Sequence, residues 1–235
     1  MKIYWTRIVD VIEETPETKT YILECPEDFT WEEGAHTHLA LEGFNAGERP
    51  DRKLIRHMSI CTLPDEKFVG ITTRIRQECS EFKQRLDGLP AGGPVALFKT
   101  HSNVPLRREG RPVYLLSSGV GLATFRPLVL DFLNDSQMVD RVHSVNIDSS
   151  KNYLYPELFT PDEDRRFSSE FYDNRTGYYD RVKTLAEDKD GLYYIVGSDE
   201  FLSQNIRVLC DAGIAAEQIM LDKHPDRKRA MIEYC

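Results

Sequence analysis

The first hundred residues alternate short β-rich segments with turn residues. Alternating hydrophobic and polar positions, or runs rich in β-branched and aromatic residues, predict strands. The predicted strands of this half are 2–11, 18–24, 36–41, 54–61, 68–75 and 95–99. A single helix is predicted from Ser80, because serine is a good N-cap and Phe82 and Leu86 are four residues apart. Many closely spaced strands with one helix favour a small antiparallel β-barrel.

After His101 the pattern changes to strands that alternate with helices. Short, apolar strands are predicted at 113–117, 142–147, 167–172, 192–196 and 218–221. The helices between and after them are predicted at about 122–133, 179–185 and 200–212. This alternation predicts a parallel sheet that is covered on both faces and binds ligands beyond the carboxyl ends of its strands. The polar segment 103–110 is interpreted as the crossing between two domains.

The composition of the chain argues against some classes of function. With 235 residues the chain is long enough for one or two domains. Its net charge of −9 argues against nucleic acid as a partner, because neutralising phosphates needs a basic surface. No apolar run approaches the roughly 20 residues of a membrane span, and no signal-peptide pattern begins the chain. We expect a cytoplasmic protein, and the oligomeric state stays open.

The five cysteines are dispersed along the chain. They are Cys25, Cys61, Cys79, Cys210 and Cys235, and no Cys-x-x-Cys pair occurs. This pattern predicts reduced, mostly buried thiols, and neither a disulfide framework nor an iron–sulfur centre. We expect no metal site, so metal-centre chemistry would have to come from another protein.

A glycine turn follows the apolar run 113–117. Gly119 and Gly121 stand between this predicted strand and the next predicted helix. Such a turn leaves backbone N–H groups at a helix N-terminus, where they can bind a phosphate-bearing ligand. Packing of helix against strand is the simpler alternative, since many α/β proteins carry this turn.

A second candidate is the strand segment Arg56-His57-Met58-Ser59. On a strand, Arg56 and Met58 share one face, while His57 and Ser59 share the other. The Arg56 guanidinium is suited to bind a phosphate, and Met58 beside it is suited to flank a flat ring. The alternative is an ordinary edge strand with a surface arginine, which has the same pattern. The helix from Ser80 and either Arg74 or Arg76 form a further predicted anion site, and the other arginine is expected to be solvated.

Four segments of the sequence, in their order along the chain and in their spacing, resemble the motifs of a known protein family. They are Arg56-His57-Met58-Ser59, the helix at Ser80, Gly119-Val120-Gly121 with Thr124, and the strand that ends in Gly197-Ser198. Together they resemble the ferredoxin–NADP reductase superfamily. The resemblance implies an antiparallel flavin-binding β-barrel over 1–106 and an α/β parallel-sheet domain over 107–235 that binds NADH or NADPH. The flavin would be FAD, with FMN as the alternative.

The resemblance also implies roles in the flavin half. Arg56 would bind the flavin phosphate, Met58 would lie against the isoalloxazine ring with His57 next to it, and Ser59 would sit near the ring's N5 as the catalytic candidate. Ser80, with Arg74, would receive the pyrophosphate. Met58 replaces the aromatic residue usual in the family.

In the second half, the implied ligand is the nicotinamide dinucleotide. Gly119 and Gly121 would let the protein backbone approach the dinucleotide, Val120 and Thr124 would contact it there, and Gly197 with Ser198 would frame the nicotinamide. Val196 replaces the cysteine that many members place there. Arg175 would bind the extra phosphate of NADP, whereas nearby Asp173 would suit the ribose of NAD, and both residues are present.

The implied reaction passes a hydride from the nicotinamide to flavin N5, with the two rings stacked in a crevice, and then electrons to a separate carrier. That carrier would be a ferredoxin, a flavodoxin or an oxygenase component. The alternative is a non-catalytic or regulatory subunit that keeps both folds.

A basic cluster at 223–229 is interpreted as a solvated tail or a docking site for an acidic carrier. Tyr234 is a candidate for stacking on the flavin.

Overall fold

The computed structural model describes residues 2–159 and 166–233. Its contacts divide the chain into two compact units, one up to Ser102 and one from Asn103. Val104 and Leu106, which belong to the predicted domain 1–106, are buried in a core of the second unit. Tyr234, the candidate for stacking on the flavin, lies outside the described residues.

The first unit is an antiparallel sheet of six strands. They are β1 (Tyr4–Thr15), β2 (Thr18–Glu24), β3 (Ala35–Leu41), β4 (Ile55–Ser59), β5 (Phe68–Arg74) and β6 (Pro94–Ser102). The strand order is β4-β3-β6-β1-β2-β5. The amide of Cys61, just beyond β4, donates to the carbonyl of Gly70 in β5 at 2.9 Å, so the two edge strands meet and the sheet curls into a barrel. This confirms the predicted barrel.

One helix, α1 (Glu81–Asp87), packs on this barrel. Phe82 and Leu86 are fully buried in its core, as their spacing predicted. Burial of two large apolar side chains holds this short helix in place, because a helix of this length is not stable alone in water.

The second unit is a parallel sheet of five strands. They are β7 (Arg111–Ser118), β8 (Val139–Ile147), β9 (Phe167–Tyr172), β10 (Leu192–Val196) and β11 (Ile219–Leu221). The order is β11-β10-β7-β8-β9, so the chain leaves β7 in one direction for β8 and β9 and then crosses over to β10. Such a reversal creates a crevice at the carboxyl ends of the two central strands. Here those strands are β7 and β10.

Helices cover both faces of this sheet, which explains its apolar strands. Helix α2 (Leu122–Asn134) packs on the face that carries Val113 and Leu115. Helices α3 (Arg175–Leu185) and α4 (Asp199–Asp211) pack on the face that carries Tyr114 and Leu116. The predicted α/β fold class is confirmed.

One expectation from the sequence is wrong, and another is right only in part. The basic segment at 223–229 is mostly exposed, as a solvated segment would be, but it is not an irregular tail: Pro225–Ile232 form helix α5, and Ile232 near its end is buried. Cys25, Cys61 and Cys79 are free thiols as expected, but Cys210 is disulfide-bonded.

Candidate functional site

Arg56 is held at the start of β4 by the turn that precedes it. Its Nη1 donates to the carbonyl oxygens of Ile55 at 2.7 Å, Arg52 at 3.2 Å and Lys53 at 3.3 Å. Its guanidinium carbon lies 5.1 Å from the ring centre of Phe82 in α1. Among the described residues, no carboxylate lies within ion-pair distance of it. Arg56 is therefore a half-buried, positioned cation whose remaining donors suit an anion.

The pairing of β4 with β3 settles which side chains of the Arg56 segment share a face. Met58 lies opposite buried Thr37, and it packs half-buried against the barrel core. Ser59 lies opposite His36, and His57 opposite His38. The strand therefore brings Arg56 and Met58 to one face and leaves Ser59 and exposed His57 on the other.

Four histidines gather on the face that carries Ser59. The ring centres of His36 and His57 are 3.8 Å apart, those of His36 and His101 are 4.1 Å apart, and those of His38 and His57 are 5.0 Å apart. Burial lowers the pKa of His38, and the charges of Lys99, His36 and His101 lower it further. No group of three or more metal-binding side chains among the described residues is arranged to hold a metal ion. No sequence motif indicates this cluster, because its members are brought together by strand pairing.

The predicted anion site near Ser80 lies where β5 ends and α1 begins. Ser80 is the N-cap of α1, and its carbonyl accepts a hydrogen bond from the Gln84 amide at 3.0 Å. Arg74 ends β5, and its carbonyl oxygen accepts a hydrogen bond from Lys83 Nζ at 2.7 Å. Arg76 is exposed and pairs with Glu17 at 3.5 Å. Lys83, which sequence reasoning missed, thus belongs with Arg56 and Arg74 at this end of the barrel.

In the second unit, the glycine turn packs against the end of β10. Gly119 has φ +53°, a conformation that other residues rarely adopt, and it begins a single 3₁₀ turn that ends at Gly121. Asn146 Nδ2 holds this turn from β8 by donating to the carbonyl of Gly119 at 3.3 Å. A Cβ on Gly121 would lie 2.7 Å from the carbonyl oxygen of Val196. Only glycine therefore lets the two central strand ends come this close.

Val120 and Thr124 are the other residues of this region that the sequence predicts to contact a dinucleotide. Val120 is half-buried, and Thr124 is buried in the first turn of α2. The turn and the N-terminus of α2 lie at the carboxyl end of β7, where the sheet topology forms its crevice. A dinucleotide there would meet backbone amides and small side chains.

Gly197 and Ser198 form the turn between β10 and α4. Ser198 Oγ accepts a hydrogen bond from the Phe201 amide at 3.2 Å and caps the helix. The next residue, Asp199, pairs with Lys223 at 3.1 Å and with Arg227 of α5. The hydrogen bond from Lys223 holds the pKa of Asp199 below its usual range. Two cations of the basic segment therefore fasten α5 to the start of α4.

The residues considered for coenzyme choice lie after β9, and both have partners. Asp173 pairs with Lys151 at 2.7 Å, and Arg175 pairs with Glu200 at 2.8 Å. Tyr178, which follows them, is fully buried in the core. Arg175 also begins the groove between α3 and α4, a cavity of about 420 Å³ lined by Arg175, Thr176, Tyr179, Asp180, Lys183, Gln204, Arg207 and Val208.

No helix in the described part of the chain has the length and the apolar sequence needed to span a bilayer. The sequence matches no protein-family model and no curated protein.

Solved structures, in contrast, are similar to this chain in fold. A ferredoxin NADP+ reductase from Neisseria gonorrhoeae with bound FAD and NADP has a TM-score of 0.79 and 17% identity, over 94% of this chain and 98% of that one. The ferredoxin reductase in carbazole 1,9a-dioxygenase has a TM-score of 0.74 and 15% identity, over 94% and 68% of the two chains. The CS-b5R domains of human Ncb5or in the NAD+ form have a TM-score of 0.75 and 17% identity, over 94% and 70%.

Proposed function

We propose that this chain, which has the two-domain fold of the ferredoxin reductase-like superfamily, is a flavin-dependent NAD(P)H oxidoreductase that delivers electrons to a separate carrier. The observation that carries the proposal is that two kinds of nucleotide-binding feature occur in one chain. The barrel has a positioned arginine, Arg56, with no carboxylate partner among the described residues, and the parallel sheet has two turns at its topological switch point.

In the first unit, we propose FAD as the flavin, with FMN as the alternative. Arg56 would bind a phosphate oxygen through the guanidinium edge that its backbone partners leave available. Met58 would lie against the ring, where a thioether packs on a π-face. Arg74 and Ser80 would flank the phosphates. His57 and Ser59 lie on the other face of β4, so they would reach the edge of the ring only where the strand bends or twists at its end.

In the second unit, we propose that NADH or NADPH binds at the ends of β7 and β10. Gly119, Val120, Gly121 and Thr124 would contact the dinucleotide, and Gly197 with Ser198 would contact the nicotinamide. Arg175 would bind a 2′-phosphate beside its ion pair with Glu200, and Asp173 would bind a ribose beside its ion pair with Lys151. Either coenzyme would therefore bind next to an existing ion pair.

A bound flavin supplies the chemistry, since it takes two electrons from a nicotinamide and releases them singly to a one-electron carrier. The protein's part is to bind both nucleotides and hold their rings. We propose a ferredoxin, a flavodoxin or an oxygenase component as the acceptor. The carbazole 1,9a-dioxygenase neighbour is named as a ferredoxin reductase, which supports an acceptor of this kind.

The visible absorption spectrum of the purified protein tests the proposal. We expect a yellow protein that releases its flavin on denaturation. A protein that stays colourless after incubation with FAD and with FMN would refute it.

A non-catalytic, flavin-binding subunit is the second candidate, favoured by Met58 and Val196 in place of the aromatic and cysteine residues of the family. It predicts a yellow protein that neither NADH nor NADPH reduces.

A further inference from the structure

Lys83 is a half-buried lysine on helix α1, which packs on the barrel. It follows Phe82, which is fully buried. Its Nζ donates to the carbonyl oxygen of Arg74 at 2.7 Å, which directs the ammonium toward the end of β5. An ammonium has three donors, and this bond uses one.

The other charged side chains of α1 have partners of opposite charge. Arg85 pairs with Glu81 at 2.7 Å, and Asp87 pairs with Lys19 at 2.7 Å. Lys83 differs, because no carboxylate of the described chain lies within ion-pair distance of it.

The charged groups that surround Lys83 are mostly cations. Burial lowers the pKa of Lys83; the nearby Cys79 opposes that shift, and the charges of Arg74, Arg76 and Arg56 add to it. Arg76 has Glu17 as a counter-charge, whereas the partners of Arg56 within 2–159 and 166–233 are backbone carbonyls and the Phe82 ring. A half-buried ammonium beside a guanidinium without a counter-ion is unfavourable, and a bound anion removes that cost.

We propose that Lys83 is a phosphate-binding residue that, together with Arg56, holds the phosphate groups of the flavin nucleotide. This inference rests on the proposed function, and it adds a residue outside the motifs that carry the resemblance. A phosphate fits the two donors: the planar guanidinium binds two oxygens side by side, and the ammonium acts as a point charge on a third.

The test measures FAD affinity in the full chain after the flavin has been removed and restored. Lys83→Gln keeps a donor for the Arg74 carbonyl but loses the charge, and Lys83→Arg keeps the charge. Arg85→Met is the matched control, since it removes a charge from the same helix at an exposed position. We expect Lys83→Gln to raise the dissociation constant for FAD about 10- to 100-fold, Lys83→Arg to restore most of the affinity, and Arg85→Met to change it less than about twofold.

The remaining outcomes separate this inference from the proposed function. Equal FAD affinity in Lys83→Gln and in the unmodified protein would overturn the inference and leave the function standing. An equal loss in Lys83→Gln and Lys83→Arg would also overturn it, because the charge would then be irrelevant. If the unmodified protein binds neither FAD nor FMN, the function fails, and calorimetric titration with inorganic pyrophosphate decides whether Lys83 is a phosphate-binding residue. Binding that Lys83→Gln abolishes supports it, and any other result overturns it.

Discussion

Gly121→Ala is the substitution whose effect the structure defines most closely. The new methyl group would lie 2.7 Å from the carbonyl oxygen of Val196, and 3.2 Å from both its carbonyl carbon and its Cγ1. The obstacle is mostly backbone, so either the glycine turn or the end of β10 must move by several tenths of an ångström. We therefore expect this turn to separate from the strand end.

The magnitude follows from two opposing effects. Overpacking at such a contact costs about 1–3 kcal/mol, while replacing glycine by alanine stabilises by about 0.4–1 kcal/mol through the unfolded chain. From the middle of these two ranges we expect a net loss of about 1–2 kcal/mol in the free energy of unfolding of the second unit. For a domain of this size that corresponds to a fall in Tm of roughly 4–8 °C.

Thermal denaturation and calorimetric binding of NADH and NADPH provide the assay. Gly47→Ala is the control, because its added Cβ would be 3.8 Å from the nearest atom, the carbonyl oxygen of Arg49. We expect Gly121→Ala to lower both Tm and nicotinamide affinity, and the control to change neither. Unaltered stability and affinity in Gly121→Ala would refute the argument that this contact shapes the site.

Three further predictions concern the barrel and the cores. Arg56→Ala should raise the dissociation constant for FAD about 10- to 100-fold while the second unit still melts cooperatively; unchanged flavin affinity in a titration would contradict the role of Arg56. Burial lowers the pKa of both His38 and His143 in the folded protein. As the pH drops below about 6.5, the unfolded chain therefore binds more protons than the folded one, and the free energy of unfolding should fall. Urea unfolding curves that do not change over this pH range would contradict this. Tyr178→Phe removes the hydroxyl that donates to the buried Oδ1 of Asn205 at 3.0 Å, and should cost about 1–3 kcal/mol in urea unfolding; an unchanged unfolding midpoint would contradict it.

The fold could be predicted from the sequence because local patterns and tertiary structure agree. The alternating strands of the barrel and the apolar strands of the parallel sheet follow directly from which faces are buried. Helix α5 was missed because Ile232 is its one buried residue among those described, so it shows no helical periodicity. Pro225 at the first helical position, with Asp226 in the first turn, is an N-terminal helix signal that would have revealed it.

The candidate site was predictable only where a motif is continuous in sequence. The turn at Gly119 and Gly121 is of this kind. The histidine cluster and the surroundings of Lys83 depend on strand register and on where a helix packs, and neither can be read from residue spacing.

The central claim is that this chain transfers electrons from a nicotinamide to its own bound flavin. Anaerobic stopped-flow mixing of the FAD-loaded protein with NADH, NADPH and their C4-deuterated forms tests it most directly. We predict that at least one coenzyme bleaches the visible flavin absorbance, and that deuterium at the transferred position slows the bleaching. A bound flavin whose absorbance neither coenzyme changes would contradict the claim.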